Sequence, residues 1–162
     1  MINDVHFNVR DAERQDVKVI LDLIIELAAY EKMAHLVTAT EEILENSLFQ
    51  QKVAKALIAE YDGVPIGYAI YFYNFSTFTG KAGIYLEDLY VKSEYRGKGY
   101  GKALLGEVAA VASKEGCPRL EWSCLNWNKP SINFYESLNA RHMDEWRTYR
   151  LTGEDIGRLA EE

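Results

Sequence analysis

The chain contains few cysteines and histidines, two and three respectively among 162 residues. Cys117 and Cys124 are seven positions apart, with no second cysteine pair and no histidine close by. That spacing matches neither a disulfide framework nor a zinc site. His6, His35 and His142 are isolated from one another along the sequence. The sequence therefore predicts no metal site, and it predicts two thiols that stay reduced in a reducing compartment.

Positive charge and long hydrophobic runs are also scarce. The net charge is −7, whereas a general nucleic-acid binder needs a positively charged face. No apolar run reaches the roughly 18 residues of a membrane-spanning helix, and the N-terminal sequence MINDVHFNVRD lacks the apolar core of a signal peptide. We therefore expect a cytoplasmic protein without nucleic-acid or membrane partners. The acidic balance suits a cationic substrate, although most acidic proteins owe such a charge to solubility alone.

The hydrophobic content of 48% is enough for a packed core, and no repeat or linker interrupts the chain. The hydrophobic periodicity predicts a single domain spanning residues 1–162, of fold class α/β. The predicted element order is β-α-α-β-β-β-α-β-α-β, which gives a mixed sheet with helices on both faces.

Local signals set the expected bounds of these elements. Thr38, with Glu41 three positions later, forms a capping box for the second helix, and Asp62-Gly63 is typical of a hairpin turn. Strands are expected over 5–10, 53–61, 64–75, 84–92, 119–125 and 146–151, with a loop over 76–83. Helices are expected from 11 or 15 to 28, after Thr38, after Gly101, over 131–138 and over 153–160.

A glycine-rich stretch, residues 95–101 (YRGKGYG), follows a predicted strand and opens a predicted helix. The first turn of a helix has unpaired N–H groups and the positive end of the helix dipole, and glycines let a phosphate approach the backbone. The pattern favours an anion site, although a plain tight turn explains a glycine cluster about as often. No Lys-Ser/Thr follows, which argues against a P-loop, and the preceding antiparallel strands argue against a Rossmann site.

Three segments in this order resemble the GNAT acetyltransferase superfamily. The pattern Arg96-x-x-Gly99-x-Gly101 resembles its acetyl-CoA pyrophosphate loop, and the strand over 84–92 resembles the strand whose backbone pairs with pantetheine. Residues 127–135 (WNKPSINFY) resemble its second cofactor segment. The resemblance implies the GNAT fold, a mixed and mostly antiparallel central sheet with helices on both faces, and acetyl-CoA as the cosubstrate.

Shorter motifs resemble the spermidine/spermine acetyltransferases and their diamine and thialysine relatives, from about residue 5 to 151. They are LAAYE at 27–31, YLED at 85–88, YRG at 95–97 and PSINFY at 130–135. The resemblance implies an N-acetyltransferase that moves acetyl from acetyl-CoA to a primary amine of a small diamine, polyamine or lysine-like amino acid, by direct attack in a ternary complex. It also implies a homodimer whose C-terminal strand often exchanges.

The chain departs from the polyamine enzymes in one loop. They carry Asp-Pro-Trp before Gly-Lys, where this chain has Ser76-Thr77-Phe78-Thr79-Gly80-Lys81, which is closer to the thialysine branch. The missing acidic residue weakens the case for long polyamines, and the choice among the three acceptor classes stays open. Alternative functions are acetylation of protein or peptide amines, or a non-catalytic acyl-CoA-binding sensor that kept the fold.

The resemblance further implies the residues that contact acetyl-CoA. Backbone amides of the strand hold the pantetheine arm and polarise the thioester carbonyl, and the glycine-rich stretch holds the pyrophosphate. Asn128 is also interpretable as a turn residue before Pro130. The expected cofactor contacts are Leu89, Tyr90, Val91, Arg96, Gly97, Lys98, Gly99, Tyr100, Gly101, Lys102, Asn128 and Ser131.

Acetyl transfer requires a base, because the amine arrives as an ammonium ion with a pKa of about 10. Glu87 is the candidate base, directly or through a bound water, since burial in an apolar strand raises the pKa of a carboxylate. A solvated strand face is the alternative. Asp88 points to the opposite face of a regular strand, unless a bulge intervenes. Tyr135, which matches the family's catalytic tyrosine, is the candidate acid for the leaving thiolate, and a core aromatic is its alternative.

The amine site is expected at the end of the first helix. Tyr30 and Glu31 match a substrate-lining pair of the family, although a charged helix end is an ordinary solvated place. Glu31 with Glu87 would give an acidic channel for a diamine. Trp122 and Ser123 lie on a strand that faces the site by analogy, and Trp122 suits stacking on an alkylammonium group as well as a place in the core.

Overall fold

The structure is a computed structural model that describes residues 4–161. Its strands are β1 Phe7–Asp11, β2 Lys55–Tyr61, β3 Val64–Ser76, β4 Lys81–Val91 and β5 Leu120–Trp122. Its helices are α1 Val17–Tyr30, α2 Glu41–Glu45, α3 Tyr100–Lys114, α4 Lys129–Ser137 and α5 Glu154–Glu161.

The strands of the described residues form one sheet in the order β1-β2-β3-β4-β5. Neighbours from β1 to β4 are antiparallel, and β5 runs parallel to β4. A two-residue hairpin joins β2 to β3, in which Asp62 has a φ of 50° and Gly63 a φ of 77°. Positive φ at both positions is the type I′ turn, whose twist matches that of the flanking strands. The predicted hairpin is therefore confirmed.

The sheet carries helices on both faces. Ile58 and Tyr68 have no exposed surface and pack with Ile20 of α1 in one apolar cluster. Side chains alternate along a strand, so Leu57 and Ala59, which are also buried, turn to the opposite face. There α3 packs against β1 to β4. The mixed α/β fold class is thus confirmed.

The start of α2 differs from the prediction, because its cap is Thr40 and not Thr38. The Oγ1 of Thr40 accepts a 3.2 Å hydrogen bond from the N–H of Ile43. An N-cap directly precedes the first helical residue, and that residue is Glu41. Thr38 therefore lies outside the helix.

The β3–β4 hairpin is longer than predicted. Ser76 pairs with Lys81, so the turn comprises residues 77–80 rather than the loop expected over 76–83. Pairing between adjacent antiparallel strands continues here through residues of low strand propensity, because tertiary context decides strand formation more than local preference does.

Contacts within the chain divide it into two units, the first ending at Ser123 and the second beginning at Cys124. The first unit contains the sheet, α1, α2 and α3. The second contains α4 and α5. The single domain expected over 1–162 stays a prediction.

The strand predicted over 146–151 is wrong, since the described residues of the second unit contain no strand there. Trp146 and Tyr149 are 71% and 86% exposed. A strand needs a neighbour that pairs its N–H and C=O groups, and a sequence pattern does not reveal whether that neighbour exists. The strand predicted over 119–125 is likewise shorter, Leu120–Trp122.

Within the described range, no helix is both long and apolar enough to cross a membrane.

Candidate active site

A β-bulge in β4 marks the centre of the candidate site. Across the β3–β4 pair, Ile70 faces Asp88 and Tyr71 faces Leu86. Glu87 is therefore the extra residue of the bulge. A bulge re-aims side chains and bends its strand, so the regular alternation assumed for Glu87 and Asp88 does not hold.

At the same point β4 separates from β5. Among the described residues, β5 pairs with β4 only from Ile84 to Leu86, whereas β4 continues to Val91. Beyond the bulge β4 therefore has a strand partner on one side only. The other side is a sheet edge, whose N–H and C=O groups are able to bond an extended ligand. The predicted pantetheine contacts, Leu89, Tyr90 and Val91, lie on this edge.

Gly67 of β3 lies against β4 on the side opposite to this edge. A Cβ atom at Gly67 would lie 2.4 Å from the carbonyl oxygen of Tyr90, so only glycine permits this approach of the two strands. Sequence reasoning missed Gly67. Its signal was an isolated glycine inside a strand pattern, which often marks a close approach of another backbone.

The glycine-rich stretch has the backbone expected of an anion site. Gly97 and Gly99 have φ angles of 75° and 89°, a region that other residues adopt at a cost. The first hydrogen bond of α3 runs from the N–H of Ala103 to the carbonyl of Gly99, at 3.0 Å. The N–H groups of Tyr100, Gly101 and Lys102 precede it and lie at the positive end of the helix dipole. These amides fit a pyrophosphate group, and Lys98 and Lys102 are exposed beside them.

Tyr100 contributes to this loop through its backbone, because its side chain is directed elsewhere. The ring is buried and stacks on Phe7 with 4.5 Å between ring centroids. Its hydroxyl donates a 2.7 Å hydrogen bond to Asp4 Oδ2, which raises the pKa of Tyr100 to about 12. The first residue of α3 is thereby fixed to the strand at the far edge of the sheet.

Arg96 lies between the loop and α1. Its Nε donates a 2.8 Å hydrogen bond to the carbonyl oxygen of Val91. The guanidinium carbon lies 4.7 Å from the ring centroid of Tyr30 and 5.3 Å from that of Tyr90. Arg96 was expected to serve the pyrophosphate, and the structure places its side chain over two aromatic rings outside the loop.

The end of α1 is a Schellman motif. The N–H of Lys32 bonds the carbonyl of Ala29 at 3.0 Å, and the N–H of Met33 bonds that of Ala28 at 2.7 Å. Lys32 has a φ of 63°, where glycine is the usual residue. This reversal leaves Glu31 half-buried at the C-cap.

The less exposed carboxylate of β4 is Asp88 and not Glu87. Glu87 is exposed, whereas Asp88 is half-buried, so the burial argued for Glu87 applies to its neighbour. Burial raises the pKa of Asp88, and a 2.8 Å hydrogen bond from the Tyr68 hydroxyl opposes that rise. Burial also raises the pKa of Glu31, and the charge of Asp88 raises it further. The charge of Asp88 thus acts on Glu31 in addition to burial.

Trp122 and Ser123 lie at the end of β5. Trp122 is half-buried and pairs with Leu86, next to the bulge. The Ser123 Oγ lies 2.6 Å from the Tyr85 hydroxyl. Both predicted substrate residues thus belong to the first unit, beside the point where β4 and β5 separate.

The other predicted residues belong to the second unit. The Oδ1 of Asn128 accepts a 3.3 Å hydrogen bond from the N–H of Ser131 and caps α4. This oxygen therefore has a structural role, as the alternative interpretation of Asn128 expects. Tyr135 is half-buried, with its ring centroid 5.3 Å from that of Phe134.

Comparison with known proteins gives the same family over most of the chain. The model of the acetyltransferase (GNAT) family matches residues 21–140. A thialysine N-epsilon-acetyltransferase of Sus scrofa is 40% identical over 166 residues, covering 94% of this chain and 96% of the relative. An L-ornithine N5-acetyltransferase of Arabidopsis thaliana is 31% identical, over 91% of this chain and 85% of the relative.

Among solved structures, an integron cassette protein from the mobile metagenome of V. cholerae superposes with a TM-score of 0.81 at 26% identity, over 98% of this chain and 100% of the other. A separated strand pair, a glycine loop opening α3 and these full-length similarities agree with one another. The chain belongs to the GNAT family of acetyltransferases, enzymes that take the acetyl group from acetyl-CoA.

Proposed function

We propose that this enzyme transfers the acetyl group of acetyl-CoA to the side-chain amine of a small, lysine-like amino acid. The observation that carries the acceptor class is that two half-buried carboxylates, Glu31 and Asp88, lie where burial raises the pKa of each, with the charge of Asp88 adding to the rise at Glu31. A bound cation would favour the ionised form of such carboxylates and replace their lost hydration. Relatives named for thialysine and for ornithine act on amino acids whose side chains end in a primary amine.

Acetyl-CoA would supply the acetyl group as an activated thioester. In this proposal the free edge of β4, from Leu89 to Val91, holds the pantetheine arm by backbone hydrogen bonds. The amides from Gly97 to Lys102 hold the pyrophosphate, with Lys98 and Lys102 adding positive charge. Arg96 also borders this loop. Asn128 and Ser131 are proposed as further contacts through atoms other than the Asn128 Oδ1, which caps α4.

The acceptor would enter beside the bulge. Glu31 and Asp88 bind its ammonium group with Tyr30, Trp122 and Ser123 around it. Glu87 accepts the proton, directly or through water, because the bulge places it where β4 leaves β5. Tyr135 donates a proton to the leaving thiolate. Direct attack of the amine in a ternary complex needs no covalent enzyme intermediate.

We also propose that the enzyme is a cytoplasmic homodimer, as the resembled enzymes are dimers. Exposed aromatic side chains support an assembly: Phe75 and Phe78 are 62% and 95% exposed, and Trp146 and Tyr149 in the second unit are 71% and 86% exposed. Cys117 and Cys124 are half-buried thiols, which suits a reducing compartment. Light scattering on the purified protein measures the oligomeric state directly.

The acceptor class is tested by thiol release from acetyl-CoA with a panel of amines. The panel contains thialysine, lysine, ornithine, putrescine, spermidine, spermine and a short lysine peptide. We expect the highest kcat/KM with one of the three amino acids. Fastest turnover with spermidine or spermine would replace the proposed acceptor by a polyamine, and turnover of the peptide alone would indicate a protein acetyltransferase. Tight coenzyme A binding without turnover of any amine would favour the sensor.

A further inference from the structure

We propose that Arg96 is a positioning residue that couples occupancy of the acetyl-CoA loop to the acceptor end of α1. This inference rests on the proposed function, because it takes the loop as the cofactor site and the end of α1 as the amine site. It adds that the two substrates bind with positive cooperativity, transmitted through the contact of Arg96 with Tyr30.

The backbone of Arg96 belongs to the loop. Arg96 follows the short helix Ser93–Tyr95 in an extended conformation, with φ −70° and ψ 164°, and directly precedes Gly97, whose φ is 75°. Any anion that fixes the amides after Gly97 also fixes the backbone from which the Arg96 side chain extends.

The side chain of Arg96 contacts β4 and α1 rather than the loop. Its Nε is bonded to the Val91 carbonyl at 2.8 Å, so the guanidinium is fixed at one end. Its carbon lies 4.7 Å from the ring centroid of Tyr30 on α1, within the range of a cation–π interaction. The last residue of α1 therefore contacts a cation that the loop positions.

A second set of contacts joins β4 and the residue after it to α1. The Tyr90 hydroxyl donates a 3.2 Å hydrogen bond to Glu26 Oε2 on α1, and Lys92 Nζ lies 3.6 Å from Glu26 Oε1. The Arg96 guanidinium lies over the Tyr90 ring at 5.3 Å. Arg96 thus contacts both the strand and the helix that these contacts hold together.

The end of α1 is strained, so a contact from outside the helix would stabilise it. It closes through Lys32 at a φ of 63°, a strained conformation for a residue other than glycine. Tyr30 immediately precedes Glu31, one of the two half-buried carboxylates. A contact that restrains the Tyr30 ring therefore also restrains Glu31, the carboxylate that we assign to the acceptor.

Coupling between two binding sites is reciprocal. The Arg96–Tyr30 contact that would transmit it also supports the loop itself, so the effect of that contact on coenzyme A binding is measurable without any amine. Coenzyme A itself is the probe, titrated calorimetrically into the full-length chain. We expect Tyr30→Leu, which removes the ring on α1, to weaken coenzyme A binding two- to fivefold, the range of an exposed cation–π contact. Tyr30→Phe keeps the ring, and we expect it to leave the dissociation constant unchanged.

The double variant isolates the contact. In an Arg96→Met background, Tyr30→Leu should weaken coenzyme A binding no further. An unchanged dissociation constant in Tyr30→Leu would overturn the coupling. So would a Tyr30→Leu substitution that weakens coenzyme A binding equally in the wild-type and Arg96→Met backgrounds. Thermal unfolding verifies that each variant folds, and Tyr30→Met serves the same comparison if Tyr30→Leu does not.

A kinetic control separates coupling from the general loss of a cation–π contact. At saturating acetyl-CoA, Arg96→Met should raise the KM for thialysine two- to fivefold, and Lys55→Met on β2, whose cation lies 5.1 Å from the ring centroid of Tyr73 on β3, should not. Equal effects of both variants would contradict the coupling. A wild-type chain that binds no coenzyme A would instead refute the proposed function, and the coupling with it.

Discussion

The hydroxyl of Tyr68 donates a 2.8 Å hydrogen bond to Asp88 Oδ2, and the Tyr68 side chain has no exposed surface. This bond joins β3 to β4 next to the bulge and fixes the half-buried carboxylate of Asp88. Burial of the charged form is the larger effect on Asp88, since its pKa is raised despite the hydrogen bond. Burial therefore disfavours the ionised form of Asp88 more than the Tyr68 hydrogen bond favours it, and we expect a bound cation to offset that cost.

Asp88→Asn should weaken amine binding and stabilise the fold at neutral pH. Losing a charge-assisted contact of about 1.5–3 kcal/mol raises the KM for the amine roughly 10- to 100-fold. The folded-state pKa of Asp88 lies above its ordinary value of 3.8, so its ionisation costs stability once the pH rises above that value. Asparagine does not ionise and still accepts the Tyr68 bond.

Urea unfolding at about pH 3 and pH 7 checks the sign. We expect the two proteins to have similar free energies of unfolding at the lower pH. At the higher pH we expect the free energy of unfolding of Asp88→Asn to exceed that of the wild type. A variant that loses stability as the pH rises would show that ionised Asp88 is stabilised by a partner.

Glu87→Gln should lower kcat/KM by roughly 10²-fold or more, the range of general base catalysis, and abolish the low-pH limb of its profile. The exposed position of Glu87 at the bulge allows a proton to pass to solvent after each turnover. The pH dependence of kcat/KM with the best amine is the measurement. If the limb persists in Glu87→Gln and disappears in Asp88→Asn, the base is Asp88.

Tyr135→Phe should lower kcat by roughly 10²-fold, as expected for removal of a general acid, with little change in the KM for acetyl-CoA. Phenylalanine keeps the ring that lies beside Phe134, so the loss would be chemical rather than structural. Tyr149→Phe is the control, because Tyr149 lies in the same unit and is 86% exposed. Near-full activity of Tyr135→Phe would remove Tyr135 from the mechanism.

Gly67→Ala should destabilise the first unit by about 1–3 kcal/mol, the usual cost of forced overpacking. Its Cβ would lie 2.4 Å from the Tyr90 carbonyl oxygen, so β4 must shift and the KM for acetyl-CoA should rise as well. Gly106→Ala is the control, since, apart from its chain neighbours and the backbone of its own helix, no described atom lies within 4 Å of the position of its Cβ. An alanine inside α3 should stabilise by about 0.5–1 kcal/mol. Equal unfolding midpoints for the two variants would contradict the strand contact.

Local signals in the sequence predicted the parts of the fold that depend on neighbouring residues. The Asp62-Gly63 turn requires two positive φ angles, which this pair adopts at low cost. The glycine-rich stretch predicted the loop before α3 for the same reason. Both features are decided within a few residues, so no knowledge of the rest of the chain is needed.

Features decided by distant residues were not predictable in the same way. The bulge at Glu87 depends on the register of β3 against β4. Because of it, Glu87 is exposed and Asp88 half-buried, whereas burial was expected for Glu87. The restriction at Gly67 depends on Tyr90, which is 23 positions later in the chain. The segment 146–151 has strand-forming residues but pairs with no strand in the described chain, because pairing needs a partner that periodicity does not specify.

Gly99→Ala should raise the KM for acetyl-CoA about tenfold while changing that for the amine little, if the loop binds pyrophosphate. Gly99 has a φ of 89°, and alanine at such an angle costs about 1–2 kcal/mol. The chain relieves that strain by moving the backbone, which displaces the amides at the start of α3. Gly63→Ala is the matched control, because Gly63 has a φ of 77° in the β2–β3 hairpin. It should lose similar stability and leave the KM for acetyl-CoA unchanged. If both variants alter that KM equally, the effect is general destabilisation and the loop has no special place in cofactor binding.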